Sequence, residues 1–145
     1  MKPAQIIEHV ERYCQDHGLR LTAARRLVLE LIIEAEKPIK AYDLLDQMRE
    51  RQPSAAPPTV YRALDFLLSH HFIHRLESLN AFISCVHPDS HHQHGHFLIC
   101  DGCSNVIELE DPGLSERMAE AANECNFKAS HEVLEIHGRC EDCQD

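Results

Sequence analysis

The chain has 145 residues, enough for one ordinary domain or two small ones, and its 43% hydrophobic content is typical of a globular protein. No apolar run approaches the ~20 residues that span a bilayer, and the N-terminus lacks the apolar stretch of a signal peptide. We therefore expect a cytoplasmic protein with reduced cysteines and no membrane partner.

The net charge of −10 is divided unevenly along the chain. Residues 1–80 contain 11 Lys and Arg against 11 Asp and Glu, whereas residues 81–145 contain 3 against 13. Because acidic surface repels phosphate, any contact with nucleic acid is expected in the first half.

The first half begins with the periodicity of three helices. The pattern predicts one over 3–17, a second for which Thr22 is the N-cap, and a third over about 41–51. The residues predicted to face inward are Ile6, Ile7, Val10, Cys14, Val28, Leu29, Ile32, Ile33, Leu44, Leu45 and Met48.

A fourth helix and a hairpin complete this half. Pro58 is predicted in the first turn of that helix, where a missing N–H is harmless. Its buried stripe is predicted to be Val60, Leu64, Leu67 and Leu68. Two runs of strand character, 72–76 and 81–86, flank a turn at 78–80. The plan is that of a winged helix-turn-helix over residues 1–86.

The second half, residues 87–145, is predicted to be a small α/β domain, so the chain as a whole is α+β. It begins with a histidine-rich loop, continues with short strands on either side of a CxxC turn, and then has a helix and a last strand. These elements are predicted at 87–96, 97–99, 106–109, 113–125 and 133–136.

Two CxxC pairs, one of them close to the C-terminus, carry the most specific chemistry. Two such turns present four thiolates, which complete a closed tetrahedral zinc site of the structural kind. Redox chemistry by one pair is the alternative, but neither pair has a thioredoxin-like setting. The predicted ligands are Cys100, Cys103, Cys140 and Cys143. The other cysteines outside the histidine-rich region, Cys14 and Cys125, are predicted to be small buried apolar residues.

A second metal site is predicted where the two halves meet. Cys85 lies among eight histidines, and Glu108 follows the first CxxC pair. Mixed N, S and O ligands with a thiolate favour zinc over manganese or magnesium. The alternative is a solvated loop with incidental metal affinity. The eight histidines are His70, His71, His74, His87, His91, His92, His94 and His96, and His131 and His137 could also contribute.

The runs 20–25 and 58–64, together with the CxxC pairs, resemble the ferric uptake regulator (Fur) family. The runs 41–45 and 57–67 and the residue Cys85 are similar to its zinc uptake regulator (Zur) branch. The resemblance implies a homodimer with an N-terminal DNA-binding domain and a C-terminal dimerisation domain. It further implies that the zinc-loaded dimer binds double-stranded operator DNA and represses zinc-uptake genes, with about two Zn²⁺ per subunit.

The resemblance places the structural zinc on the four cysteines of the CxxC pairs. The sensing zinc is placed on His74, Cys85, Glu108 and one loop histidine. The spacing of the zinc branch puts that last ligand on Gln93, so the choice stays open between His92 and His94. A further, weaker site is expected from His94, His96 and His131.

Exposed residues of the fourth helix are expected to contact DNA. We expect Arg62 to bind guanine and Tyr61 to contact a thymine methyl group. Thr59, Arg20, Arg25 and Arg26 are expected to contact phosphates, although an ordinary solvated helix face is the alternative for Arg25 and Arg26.

Three alternatives compete with this interpretation, two from other classes of function and one from within the same family. A zinc deaminase needs an H-x-E motif before its cysteines, and none precedes Cys100, so we expect neither an enzyme nor a small-molecule substrate. A regulator of the same family that senses iron or peroxide is the nearer alternative, because ligands encode metal identity only weakly. A zinc storage or delivery protein would use the histidine loop without DNA.

Overall fold

The computed structural model describes residues 2–85 and 95–144. The chain divides into two compact units, Met1–His91 and His92–Asp145. The fold class is α+β, as predicted, with four helices and a hairpin in the first unit and a small sheet with one helix in the second. The predicted domain boundary between residues 86 and 87 lies outside the described residues.

Four helices make up most of unit 1: α1 (Pro3–Asp16), α2 (Ala23–Ala35), α3 (Ala41–Arg51) and α4 (Pro57–Ser69). The start of α2 is capped as predicted, since the backbone N–H of Arg25 donates to the hydroxyl oxygen of Thr22 over 3.3 Å. Proline occupies the first positions of α4, where no helical hydrogen bond is lost.

The predicted hairpin follows α4. Strands β1 (Ile73–Leu76) and β2 (Ala81–Ser84) pair antiparallel, with His74 opposite Ile83. An isolated bridge between Ile39 and Phe82 ties the hairpin to the segment before α3. Both strands are shorter than the predicted runs, because Phe72 and Cys85 lie just beyond the ladder, although the backbone N–H of Cys85 donates to the carbonyl oxygen of Phe72 over 3.1 Å.

One apolar cluster forms the core of unit 1. All the predicted inward residues of the four helices are buried except Ile7 and Leu68, which are partly buried against the same cluster. Cys14 is buried, as predicted. The helices and the hairpin that packs with them have the arrangement of a winged helix-turn-helix. No described helix is long and apolar enough to cross a membrane.

Unit 2 contains a three-stranded sheet and one helix. Strands β3 (Gly95–Cys100), β4 (Val106–Glu108) and β5 (Val133–Gly138) take the order β4-β3-β5, and helix α5 (Pro112–Glu124) connects β4 to β5. The outer strand β4 is antiparallel to β3, whereas β5 is parallel to it. The described part of the chain ends with a short 3-10 turn, Glu141–Cys143, and the residue after it.

The apolar surface of unit 2 is only partly covered. None of the residues of α5, all of which are described, is buried, and its predicted inward stripe of Leu114, Met118 and Ala122 is half-buried. Cys125, which follows the last residue of α5, is exposed. The prediction that Cys125 is buried is therefore wrong, because the described residues form no core that buries the apolar face of α5.

Candidate metal centre and nucleic-acid interface

The four cysteines are brought together by the parallel pairing of β3 with β5. Cys100 is the last residue of β3 and pairs in register with Gly138, the last residue of β5. Both CxxC turns therefore leave the same edge of the sheet from neighbouring strands. The backbone N–H of Asp101 in the first turn donates to the carbonyl oxygen of Gly138 over 2.8 Å and fixes the turn to the end of β5.

The spacing of the sulfur atoms suits a tetrahedral metal ion. The Sγ atoms of Cys100, Cys103, Cys140 and Cys143 all lie within 4.8 Å of one another. The Sγ atoms of Cys103 and Cys140 are 3.6 Å apart. A zinc ion with Zn–S bonds of about 2.3 Å places its sulfur ligands about 3.8 Å apart. The four-cysteine centre, as we call this cluster, thus fits zinc in both ligand type and spacing.

Backbone donors lower the pKa of the Cys100 thiol at the four-cysteine centre. The N–H groups of Cys140 and Gly102 each donate to its Sγ over 3.3 Å. The N–H of Cys140 is the largest cause that lowers the pKa of Cys100 to about 6. The neighbouring sulfur of Cys140, followed by that of Cys100, raises the pKa of Cys143 to about 12. The four sulfur atoms can therefore all be thiolates only when a cation compensates their charge.

Gly102 leaves the space that the second cysteine turn occupies. A Cβ atom at this position would lie 3.0 Å from the Sγ of Cys143 and 3.2 Å from its Cβ. Beside the first turn, Nδ1 of His137 lies 3.2 Å from Oδ1 of Asp101. His137 therefore contacts the turn through its aspartate and is not among the residues grouped at the four-cysteine centre.

The hairpin of unit 1 carries a second pair of metal-type ligands. His74 lies on β1 and Cys85 follows β2, and their ligand atoms are within 4.8 Å of each other. Cys85 is 1% exposed and His74 is half-buried. A neighbouring imidazole and thiol, shielded from solvent, are ligands that zinc favours over harder ions.

The remaining predicted ligands belong to unit 2. Glu108 is the last residue of β4, where it is half-buried and pairs in register with Phe97. His92 and His94, the open alternatives for the loop ligand, lie outside the described residues.

The further site expected from His94, His96 and His131 has different surroundings. Nε2 of His96, which is 3% exposed, lies 3.3 Å from Oε1 of Glu132. Nδ1 of His131 is 3.3 Å from the hydroxyl oxygen of Ser130. Among the described residues, His96 and His131 are not grouped into a metal cluster, so this third site stays a prediction.

The predicted base-contacting residues project from α4. Tyr61 is 57% exposed, Arg62 is exposed and Thr59 is half-buried. A second aromatic residue of unit 1, Tyr42 at the start of α3, is 73% exposed and was not singled out from the sequence. The sequence places Tyr42 outside the apolar stripe of α3, and this could have identified it as an exposed aromatic residue.

The predicted phosphate-contacting arginines have three different environments. Arg20 is exposed. Arg26 forms ion pairs with Glu11 of α1 and with Glu30, the latter at 2.9 Å. Arg25 is half-buried, with its guanidinium carbon 3.9 Å from the centroid of the Phe66 ring. Sequence spacing alone could not distinguish these environments.

A winged helix-turn-helix unit with a metal-type ligand pair on its hairpin, followed by a unit with a four-cysteine centre, defines a winged-helix metalloprotein. A model of the ferric uptake regulator family matches residues 16–137. This chain belongs to the ferric uptake regulator family.

Relatives within the family are similar over nearly the whole chain. The zinc uptake regulation protein of Escherichia coli (strain K12) is 40% identical over 139 residues, which cover 96% of this chain and 81% of that protein. A structure of a zinc uptake regulator complexed with zinc and DNA has a TM-score of 0.93 at 39% identity, covering 99% of this chain and 95% of that one. The crystal structure of holo XcZur has a TM-score of 0.88 at 48% identity, covering 96% of both chains.

Proposed function

We propose that this protein is a zinc-responsive transcriptional repressor of zinc-uptake genes, which binds operator DNA as a zinc-loaded homodimer. The observation that carries the proposal is the position of the His74 and Cys85 pair on the hairpin of the DNA-binding unit. A metal ion bound by His74 and Cys85 is attached directly to the hairpin that follows α4 in the DNA-binding unit. Metal binding is thereby coupled to that unit. Regulation of transcription requires no catalytic step, and the protein acts in the cytoplasm, where bacterial DNA lies.

Two zinc ions per subunit have different roles in this proposal. The four-cysteine centre holds a structural zinc, because all-thiolate coordination leaves no open position. The sensing zinc is held by His74, Cys85, Glu108 and either His92 or His94. Zinc supplies a single coordination centre to which ligands from both halves of the chain bind.

The residues of the sensing site act by selecting one conformation. His74 and Cys85 are held by the hairpin, whereas Glu108 is held by β4 of unit 2. Simultaneous ligation from both units favours one arrangement of the units over the others. If that arrangement suits two DNA half-sites, the affinity for DNA rises by the difference in zinc affinity between the conformations.

The homodimer is supported by the uncovered apolar surface of unit 2. Ile107 and Ile136 both pair with Leu98, from opposite sides, and are 52% and 48% exposed. Residues directly opposite in neighbouring strands share one face of a sheet. A second copy of the chain would cover this row, and the dimer would carry two α4 helices, one for each half-site of the duplex.

The DNA interface combines α4 with the turn before α2. Tyr61 and Arg62 reach the base edges, with Arg62 on guanine. Thr59, Arg20 and Arg26 face the backbone, and they set the position of the protein on the duplex.

The alternative of an iron or peroxide sensor is less favoured. The thiol of Cys85 beside His74 suits zinc, and the relatives compared above are zinc regulators. A storage protein would not need the exposed Tyr61 and Arg62 of α4.

The proposal is tested by selecting duplexes from a randomised DNA library with the zinc-loaded protein, and then measuring affinity under zinc buffering. We expect one palindromic sequence to be enriched, with an affinity that falls at least tenfold when the sensing zinc is removed and the structural zinc is retained. Equal affinity with and without the sensing zinc, or restoration by iron but not by zinc, would contradict the proposal.

A further inference from the structure

The side chain of Arg25 joins two elements of unit 1. Arg25 lies in the first turn of α2, and its guanidinium carbon is 3.9 Å from the centroid of the Phe66 ring in α4. Both residues are half-buried. A guanidinium stacked on an aromatic face is held by the charge distribution of the ring and by dispersion. The contact therefore fixes the start of α2 against α4.

The same side chain also holds the turn that precedes α2. Nη1 of Arg25 donates to the carbonyl oxygen of Arg20 over 2.7 Å, and the backbone N–H of Arg25 donates to the Thr22 hydroxyl. The turn from Arg20 to Thr22 is thus bound at both ends to one residue. Arg20 itself is exposed, so its side chain is directed to solvent from a fixed backbone.

The ring beneath Arg25 is itself held in place. Phe66 packs against the apolar core, and its ring centroid lies 4.8 Å from that of His70 and 6.3 Å from that of Phe72. On an α-helix, residues four apart lie on the same face, so Phe66 lies one turn beyond Arg62. The Phe66 ring on which Arg25 stacks and the proposed base-reading residue Arg62 therefore share one face of α4.

We propose that Arg25 is a positioning residue for DNA binding and does not itself contact a phosphate. Its guanidinium, stacked on Phe66, holds the backbone of Arg20 at a fixed distance from Arg62, so that one arginine meets the phosphate while the other meets the base. This inference rests on the proposed DNA-binding function. It replaces the expectation that Arg20 and Arg25 make independent phosphate contacts.

A double-mutant cycle on the selected duplex separates the two roles. We expect Arg20→Ala and Arg25→Met each to weaken binding about tenfold, since each loses the same charge-assisted contact. The double variant should also be weakened about tenfold, because Arg25 has nothing left to position once Arg20 is removed. A loss near a hundredfold would show independent contacts and overturn the proposal, as would an undiminished affinity of either single variant.

The salt dependence of binding gives a second measurement. Each lost phosphate contact lowers the slope of log affinity against log salt by about one. We expect the same reduction in Arg20→Ala, in Arg25→Met and in the double variant. A further reduction in the double variant contradicts the positioning role. General loosening of unit 1 would weaken binding whether or not Arg20 is present, so it too would give additive losses.

Arg26 provides the matched control, because it is adjacent in sequence but pairs with Glu11 and Glu30. Any loss from Arg26→Met should add to that from Arg20→Ala. Phe66→Leu should weaken binding about threefold, and Phe66→Tyr, which keeps the aromatic face, should restore it. Equal affinities of the Leu and Tyr variants would overturn the stacking argument. If the wild-type protein enriches no duplex, the proposed function itself is contradicted, which is a distinct outcome.

Discussion

At the four-cysteine centre, the absence of a side chain at Gly102 allows the two cysteine turns to approach each other. A Cβ atom there would lie 3.0 Å from the Sγ of Cys143, which is tighter than most Cβ contacts in proteins. At the C-terminal end of β5, by contrast, no described atom lies within 4 Å of a Cβ added at Gly138. An added methyl group is therefore expected to disturb the structure at Gly102 but not at Gly138.

We expect Gly102→Ala to weaken zinc binding by the four-cysteine centre, because Cys143 must move to accommodate the methyl group. The cost of such overpacking is typically about 1–3 kcal/mol, and competition with a chelator of known affinity measures it. Gly138→Ala is the control and should retain zinc like the wild type. Equal zinc affinities of the two variants would show that the turns adjust freely.

Zinc binding by the four-cysteine centre should release protons at neutral pH. The neighbouring sulfur atoms raise the pKa of Cys140 and raise that of Cys143 to about 12, so both are protonated thiols without metal. Zinc requires thiolates, and its affinity must therefore rise with pH above neutrality. Calorimetry in buffers of different ionisation enthalpy counts the protons, and a binding heat that is independent of the buffer would contradict the expected release.

At the scale of elements, the start of α2 depends on its cap. The hydroxyl of Thr22 satisfies one N–H group that has no partner within the helix. We expect Thr22→Ala to lower the free energy of unfolding by about 1 kcal/mol, measured by urea denaturation of the zinc-loaded protein. Thr22→Ser keeps the acceptor oxygen and should remain near the wild type. A loss of equal size in both variants would point to the methyl group and not to the cap.

Strand β3 in the sheet of unit 2 contributes both to the four-cysteine centre and to the exposed apolar row. Strand β3 pairs with β5 to bring the cysteines together, while Leu98 on the same strand lies between the exposed Ile107 and Ile136. The metal centre and the apolar row are therefore carried by the same sheet. A change on the apolar row can be made without altering a ligand.

We expect Ile136→Glu to dissociate the homodimer, because a buried unpaired carboxylate would replace an apolar contact at the interface. Light scattering after size exclusion measures the mass, and the content of structural zinc should be unchanged. Tyr42→Glu places the same charge on an exposed residue of unit 1 and should leave the dimer intact. A dimer that persists in Ile136→Glu would mean that another surface joins the subunits.

At the scale of the whole molecule, the two metal centres should be separable by mutation. Cys85→Ser removes a thiol of the hairpin pair, so we expect it to lose zinc-dependent DNA binding while keeping the dimer and the structural zinc. Cys100→Ser removes the thiol at the end of β3 and should destabilise unit 2. Metal content, scattering mass and DNA affinity distinguish these outcomes, and identical behaviour of the two variants would contradict the division into structural and sensing sites.

Much of the fold could be predicted from local patterns. The four helices of unit 1, its hairpin and the strands of unit 2 lie close to their predicted positions, because apolar periodicity, prolines and caps act over a few residues. Cys125 is the clear exception. Its apolar character predicted burial, but burial depends on whether α5 packs into a core, and no local signal states that.

The sequence by itself determined the chemistry of this protein: the CxxC spacing, the thiol and imidazoles near the hairpin and the exposed arginines are local features. Only the tertiary structure decided which partners residues of the same type contact. Arg25 stacks on Phe66 while Arg26 pairs with Glu11 of α1, and His96 lies beside Glu132. The physical reason is that these partners come from elements distant in sequence, and they meet only once helices and strands have packed.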